Sequence, residues 1–497
     1  MEALSAWRVL DARSLLLGTV VLLVSYRFLR RPRNLPPGPW GWPILGHLPH
    51  MMASRDGIFK LFARLTTRYG DVVRINLVGV PMVILKGLDR TKEAFSQYQF
   101  SGHPPLLLTQ SIAPGAGLFG SSGEQWKEIR RFCMTVLRKL GVGKSRFEQD
   151  ISTEAQILVD ELKNFNGKAF DPKHLFGNAV SNVICTVVLG KRFQYADPTF
   201  KHLLKVLNNL VSDKAGVEDI FEMMPVFAKL KMLPLVRNYV NAIESFFRHI
   251  NLLLKEHRKR QNIDDPQDFI DIFLNEKETK ERQGTKSSVL LPENLKRIVG
   301  DLFAAGSETT ATTLRWGMLY MMAHPEIQRR VQKELDDVTS RNRLPRISDK
   351  PELPYTEAVL CEIQRIGTIV PVHVHMSSED TTIAGYNIPK GTIVATSIWQ
   401  IHYDPLVWEE PEEFRPERFL NQDGKFRPRL EFIPFGIGRR ICLGEHLAKM
   451  ELFIFFTHLL HHFTLKKPDH VPVVSFEGIH GVVWAPKSFE VSAIARE

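Results

Sequence analysis

The chain has 497 residues, 44% of them apolar and 24% charged, with four cysteines and a formal net charge of +10. This composition is ordinary for a globular protein with a large core. The basic excess favours acidic partners or an anionic membrane surface. Nucleic acid is excluded as the main partner, because the lysines and arginines are scattered and no basic helix is interleaved with base-stacking aromatics. Length alone suggests about three domains, but no Gly/Ser-rich linker, low-complexity tract or internal repeat divides the chain.

The N-terminus carries an uncharged run from Ser14 to Tyr26, bounded by Arg13 and Arg27. At ~1.5 Å per residue it covers ~20 Å, short of a ~30 Å hydrocarbon core. Snorkelling of the two arginines extends the span to Trp7–Leu29. No small-x-small cleavage site follows. Arg27, Arg30, Arg31 and Arg33 come after it without an acid, so the positive-inside rule predicts an uncleaved anchor, residues 1–34, with the rest of the chain, residues 35–497, in the cytosol. "LPPGPWGWPILG", Leu35 to Gly46, cannot continue a helix and reads as a stiff hinge between anchor and body. "DVVRINLVGVPMVILKG" alternates as a hairpin of two short strands. From Thr91 to Leu335 the pattern is mostly helical, and strand-like pieces return between Ile369 and Ala395. The fold class expected is mainly α with small β-sheets, as one large helix-rich domain behind the anchor.

The cysteines are too far apart for a disulfide framework or a zinc site. Cys133, Cys185 and Cys361 lie in helical or apolar runs and read as small buried hydrophobes. Cys442 differs. It stands in "EFIPFGIGRRICLGEHLAKMEL", Glu431 to Leu452, where glycines and arginines lead straight into a helix. A dinucleotide turn needs a third glycine where Ile441 stands, and a ribose-binding acid where Phe456 stands, so a phosphate cradle fails. A hydrolase nucleophile with His446 nearby stays open. A ligand thiolate accounts for more. Arg439 and Arg440 bring positive charge, Gly438 and Gly444 permit close backbone approach, and the helix start favours an anion. A cysteine thiolate is also one of few protein ligands of haem iron.

The spacing Phe435-x-x-Gly438-x-Arg440-x-Cys442-x-Gly444 resembles the haem-binding signature of the cytochrome P-450 superfamily without a gap. "EIQR" (Glu362–Arg365) followed by "FRPERF" (Phe414–Phe419) resembles that family's Glu–Arg–Arg triad, here Glu362, Arg365 and Arg418. "WKEIR" (Trp126–Arg130) resembles the haem-propionate helix, and "AGSETT" (Ala305–Thr310) the oxygen-activating segment. The resemblance runs from Leu35 to the end. It is nearest to the microsomal, vertebrate-type family two and to members that oxidise fatty acids, steroids or foreign compounds. Its implications are specific. Cys442 would ligate the iron of haem b. Trp126, Arg130, His375 and Arg440 would hold the propionates, with Phe435 and Gly444 shaping the loop. His373 rivals His375, because "PVHVH" is one residue shorter than the family's spacing. Thr309 would serve oxygen activation through its hydroxyl, Glu308 would relay protons, and Gly306 would leave room for oxygen.

Both Glu308 and Thr309 lie in "LKRIVGDLFAAGSETTATTLRWGMLYMMA", Leu295 to Ala323, apolar around most of its circumference and therefore expected to be a buried helix. There a threonine also has the option of bonding its own backbone one turn earlier. On the opposite side of the Trp126 helix, Lys127, Arg131 and Arg138, with Lys139 and Lys144, read either as a solvated face or as a dock for an acidic electron donor. Nothing in the chain resembles a flavin or nicotinamide site. The resemblance therefore implies an NADPH-dependent membrane reductase, with cytochrome b5 as a further partner. The activity expected is a monooxygenase of the endoplasmic reticulum membrane acting on a lipophilic substrate. A haem-thiolate isomerase or dehydratase acting on a peroxide, and a membrane-bound ligand-binding protein, are the alternatives. The pocket is expected from Phe100–Phe119, Leu203–Leu235, Val299–Thr310, Gly367–Met376 and Phe476–Val482.

Overall fold

The computed structural model describes residues 34–54, 57–105, 116–141, 145–211, 234–259, 265–285 and 287–496, with residues 15, 18, 19, 21 and 22 of the N-terminal run. The anchor expected over residues 1–34 lies otherwise outside the described residues, as do Lys144 and parts of two expected pocket segments. Among the described residues, no helix is long and apolar enough to cross a membrane.

The expected hairpin forms as β1 (Val72–Leu77) and β2 (Val80–Leu85), antiparallel with Leu77 opposite Val80. Its two-residue turn places Val78 and Gly79 at φ 50° and 88°, the left-handed pair that matches strand twist. The Asn76 side chain accepts from Gly79 N at 2.8 Å and closes it. Two strands from far along the chain, β3 (Val372–Met376) and β4 (Ile393–Ser397), complete a four-stranded sheet in the order β1-β2-β4-β3. β2 and β4 run parallel, which requires a long crossover, and the helical body fills it. The proline hinge packs along this sheet. Pro37 O accepts from Arg74 N at 2.7 Å, and a Cβ on Gly38 would stand 1.9 Å from Arg74 O.

The helical body is built around α1 (Gly123–Lys139), α2 (Lys173–Leu189), α3 (Pro292–Ala323), α4 (Pro354–Gly367) and α5 (Glu445–His462). α3 is the expected buried helix, entered through Pro292 in its first turn, where a missing N–H costs nothing. Its burial is interrupted at one place: Ala305 is exposed and Thr309 half-buried, one turn apart on the same face. That face therefore borders a cleft. Gly306 does a different job from the one expected. A Cβ there would lie 2.4 Å from Ile184 Cδ1, so the glycine lets α2 pack against α3. Cys133, Cys185 and Cys361 are buried hydrophobes, as expected, and burial pushes all three thiols up.

α4 carries the ion cluster on which the region after it is built. Glu362 and Arg365 are wholly buried and paired twice, at 2.7 and 2.8 Å, and Arg418 Nε reaches Glu362 at 3.2 Å. Arg365 Nη1 also donates to His402 O at 2.7 Å. Removing one partner of such a cluster leaves a buried charge uncompensated. Glu362→Ala is therefore expected to lose ~3–5 kcal/mol of stability, read as a fall in denaturation midpoint. A midpoint close to the parent's would show that the cluster is dispensable.

Candidate active site around Cys442

The loop before α5 is held in shape by its own backbone. Cys442 N donates to Phe435 O at 3.0 Å and Ile441 N to Gly438 O at 3.2 Å. Arg439 N donates to Phe95 O at 3.2 Å, tying the loop to the helix Gly87–Phe95. Gly436 and Gly438 have φ of 76° and 82°, open to glycine at little cost. A Cβ on Gly438 would also fall 2.2 Å from Phe95 O, so close approach demands glycine there. It does not at Gly444, where an added Cβ would meet only Cys442 Sγ at 4.0 Å. Cys442 is accessible, whereas the other three cysteines are buried. The protein around it is nonetheless dense enough that burial pushes its thiol pKa up, against the Gly444 and Glu445 amides and Arg130, which pull it down. Both hold for a sulfur facing an internal cleft. A thiol in this balance ionises when it takes a metal.

The arginines act differently from expectation. Arg440 does not serve the sulfur: it donates to Ser101 O at 2.6 Å and Ser121 O at 2.7 Å, and lies 4.3 Å from the Trp126 ring centre. Arg439 lies over Tyr98. Arg130, one turn after Trp126 on α1, donates to Ile441 O at 2.7 Å and is the cation that favours the thiolate. Trp126, Arg130 and Arg440 are thus brought to one edge of the loop, and burial lowers Arg440 to about 9.

His373 and His375 share one face of β3. His373 lies against Gly436, where a Cβ would come within 2.5 Å of its ring. His375 stacks on Phe95 at 3.7 Å, and its buried Nδ1 has no hydrogen-bond partner among the described residues. Arg440 and His103 lie close enough to act on it, so His375 belongs with the cationic edge and His373 with the loop floor. His103 was missed in the sequence. Its Nδ1 donates to Pro104 O at 2.9 Å, and burial lowers it to about 3. The only signal was its position just after "FSG", ahead of the Trp126 helix.

On α3, Thr309 Oγ1 donates to Ala305 O at 2.8 Å, the back-bond open to a helical threonine. The hydroxyl proton is taken, and the oxygen's lone pairs remain to accept from a donor in the cleft. Glu308 is buried and accepts from Thr312 Oγ1 at 3.1 Å. Two further acids shape this region. Asp301 binds Arg297 at 3.2 Å and accepts from Leu118 N and Phe119 N at 2.8 and 3.2 Å, which pins the segment Gly117–Gly120 to α3. Glu451, on α5, has neither carboxylate oxygen well hydrogen-bonded among the described residues. Burial raises it well above the usual carboxylate range, with the Thr310 hydroxyl beside it pulling the other way. It is a neutral acid at physiological pH, placed between the helix that follows Cys442 and the threonine after Thr309.

These residues fit a metalloporphyrin. An accessible sulfur is presented by a rigid loop, and Trp126, Arg130, Arg440 and the unpartnered His375 Nδ1 gather at one edge where anionic side arms need donors. A family model described as Cytochrome P450 matches residues 36–493, and the chain belongs to that family of haem-dependent oxidoreductases. Cytochrome P450 2J2 of Homo sapiens is 39% identical, the match covering 99% of this chain and 98% of that protein. Cytochrome P450 2D6 of Homo sapiens is also 39% identical, with both chains covered to 100%. Cytochrome P450 2U1 of Bos taurus is 35% identical over 96% of this chain and 93% of its own. All three carry the family-two designation.

Glu451 yields a pH test. Its folded pKa stands above its unfolded one, so the folded chain keeps a proton that the unfolded chain has released. Stability from this group is complete below the unfolded pKa, near 4.5, and is lost as pH rises toward the folded value. Glu451→Gln removes that loss. The variant is expected to gain on the parent by up to ~1.4 kcal/mol per pH unit between pH 6 and 8, measured by denaturant unfolding. A difference that stays flat across this range would mean that Glu451 is ionised in the fold.

Proposed function

We propose that the chain is a membrane-bound monooxygenase that hydroxylates or epoxidises a lipophilic substrate, such as a fatty acid, steroid or foreign compound. The observation that carries this reading is the accessible Cys442 thiol in a glycine-fixed loop whose following helix puts Glu451 beside Thr310, next to the accessible Ala305–Thr309 turn. Haem bound through Cys442 supplies the activation of O₂, one atom of which enters the substrate while the other leaves as water. Trp126, Arg130, Arg440, His375 and His103 orient the cofactor by its anionic edge, with Phe435 and Gly444 framing the sulfur. The thiolate is held by the Gly444 and Glu445 amides and by Arg130. Thr309 accepts a hydrogen bond from a water in the cleft and so keeps a proton donor in place. Glu308 passes protons inward, and Glu451 holds one in reserve. Positioned acid help of this kind is worth ~10²–10⁴ in rate.

Electrons come from an NADPH-dependent membrane reductase, with cytochrome b5 as a second donor. The docking face is the exposed side of α1. Arg131, Arg138 and Lys139 are exposed, and Lys127 shares Tyr98 with Arg439 of the Cys442 loop, at 4.3 and 5.8 Å from its ring centre. An acidic partner seated there stands next to the sulfur loop. The residues 1–34 anchor the chain in the endoplasmic reticulum membrane with the body cytosolic. Trp40, Trp42 and Ile44, 74%, 60% and 88% exposed, extend an apolar, tryptophan-rich surface directly beyond it.

Two variants test the mechanism together. Cys442→Ser is expected to abolish the thiolate-type spectrum of the reduced carbon monoxide complex, while Cys133→Ser, Cys185→Ser and Cys361→Ser keep it. Thr309→Ala is expected to keep that spectrum, lower the ratio of product to NADPH consumed, and raise the hydrogen peroxide released. An unchanged ratio would reduce Thr309 to its back-bond with Ala305. Deleting residues 1–34 is expected to yield a haem-containing body released from membranes by high salt or mild detergent. Membrane attachment as firm as the full chain's would locate the anchor elsewhere.

A further inference from the structure

A groove of about 640 Å³ opens between the C-terminal end of α3, the segment Glu412–Phe414 and the hairpin formed by β5 (Gly478–His480) and β6 (Trp484–Pro486). Neither Cys442, Glu308 nor Thr309 lines it. Its size is that of a site for one small organic molecule. Aromatic rings make the wall: Tyr320 stacks on Phe414 at 4.5 Å and on Phe476 at 4.9 Å, and Trp399 stacks on Tyr403 at 4.8 Å. Phe476 is 40% exposed, a large ring left uncovered on one side. The sequence places Phe476 in the substrate pocket, whereas the structure turns it onto Tyr320 in this outer groove.

The lip is acidic. Glu412 and Glu413 are both exposed and face a single lysine, Lys60, and no ion pair joins any of the three among the described residues. The Glu413 backbone is anchored to the buried cluster, its carbonyl accepting from Arg365 Nη2 at 3.3 Å and Arg418 Nη2 at 3.4 Å. The carboxylates therefore start from a rigid edge.

We propose that this groove binds an organic ammonium cation carrying an aromatic or alkyl body, at a site separate from the Cys442 cleft. Stacked tyrosine, tryptophan and phenylalanine rings attract a quaternary or protonated amine through their negative faces. The body of such a ligand covers the open face of Phe476, and the excess carboxylate at the lip meets its charge. A neutral ligand of the same shape gains the burial but neither electrostatic contribution, and an anion is opposed by Glu412 and Glu413.

The test uses the full-length, haem-loaded protein. Benzyltrimethylammonium and its neutral isostere neopentylbenzene are titrated by calorimetry and tryptophan fluorescence, with and without saturating 4-phenylimidazole to occupy the haem pocket. One cation per chain is expected to bind about tenfold tighter than the isostere, with and without the azole. Glu412→Gln with Glu413→Gln should remove most of that preference. Phe476→Ala should weaken both ligands several-fold, and haem content should stay at the parent's level in each variant. Equal affinity for the two ligands, or a preference that survives the glutamine pair, overturns the proposal. Competition by the azole also overturns it, since that places the cation in the haem pocket.

Discussion

The charge cluster Glu362–Arg365–Arg418 is the constraint from which the active-site loop hangs. Arg365 holds His402 O, and His402 is buried and kept neutral, pushed down to about 3. Its Nε2 accepts from Ile433 N at 3.1 Å, and its Nδ1 therefore donates to Thr368 Oγ1 at 3.0 Å. A line of bonds thus runs from α4 through one imidazole to the start of the loop that ends at Cys442. Ion pairs buried this deeply are rarely net stabilisers. Their effect here is geometric: Glu362 also accepts from Arg415 N at 3.0 Å, so one carboxylate fixes three stretches of chain at once.

Around that fixed loop the titratable groups are driven toward their uncharged forms. Burial lowers His103 and His373 to about 3 and about 4, raises the Cys442 thiol, and keeps Glu451 protonated. Guanidinium groups are the exception, and Arg130 and Arg440 hold their charge by lying against Trp126 and backbone carbonyls. Positive charge is thereby collected at one edge while the remainder of the site stays nearly neutral. Such an arrangement selects for a planar group with anions on one rim and a cationic centre over the sulfur.

Much of this was legible in the sequence because it is local. The hairpin at Val72–Leu85, the buried helix Pro292–Ala323 and the loop leading to Cys442 are each encoded by neighbouring residues, through alternation, all-round hydrophobicity and glycine spacing. The Glu362–Arg365 pair could be read as either a surface pair or a buried lock, and only burial decides. What escaped depends on partners distant in the chain. Gly306 looked like room for oxygen and is room for Ile184. Arg439 and Arg440 looked like the sulfur's cations, yet Arg130 fills that role from another helix. His103 and Glu451 carry no local pattern, since burial against remote elements is what perturbs them.

The parallel pairing of β2 with β4 joins Met82 to Ile393, near opposite ends of the chain. During synthesis the β1–β2 hairpin emerges early and then waits, with the edge of β2 unpaired, until nearly all the helical body has followed. Contacts of such separation form late and slowly, and an open apolar edge of this kind invites pairing with other chains. The hinge segment that packs on Arg74 shields part of the hairpin in the interval. Folding yield of this protein is thus set by how long one strand edge stays bare, a kinetic property with no counterpart in the finished molecule.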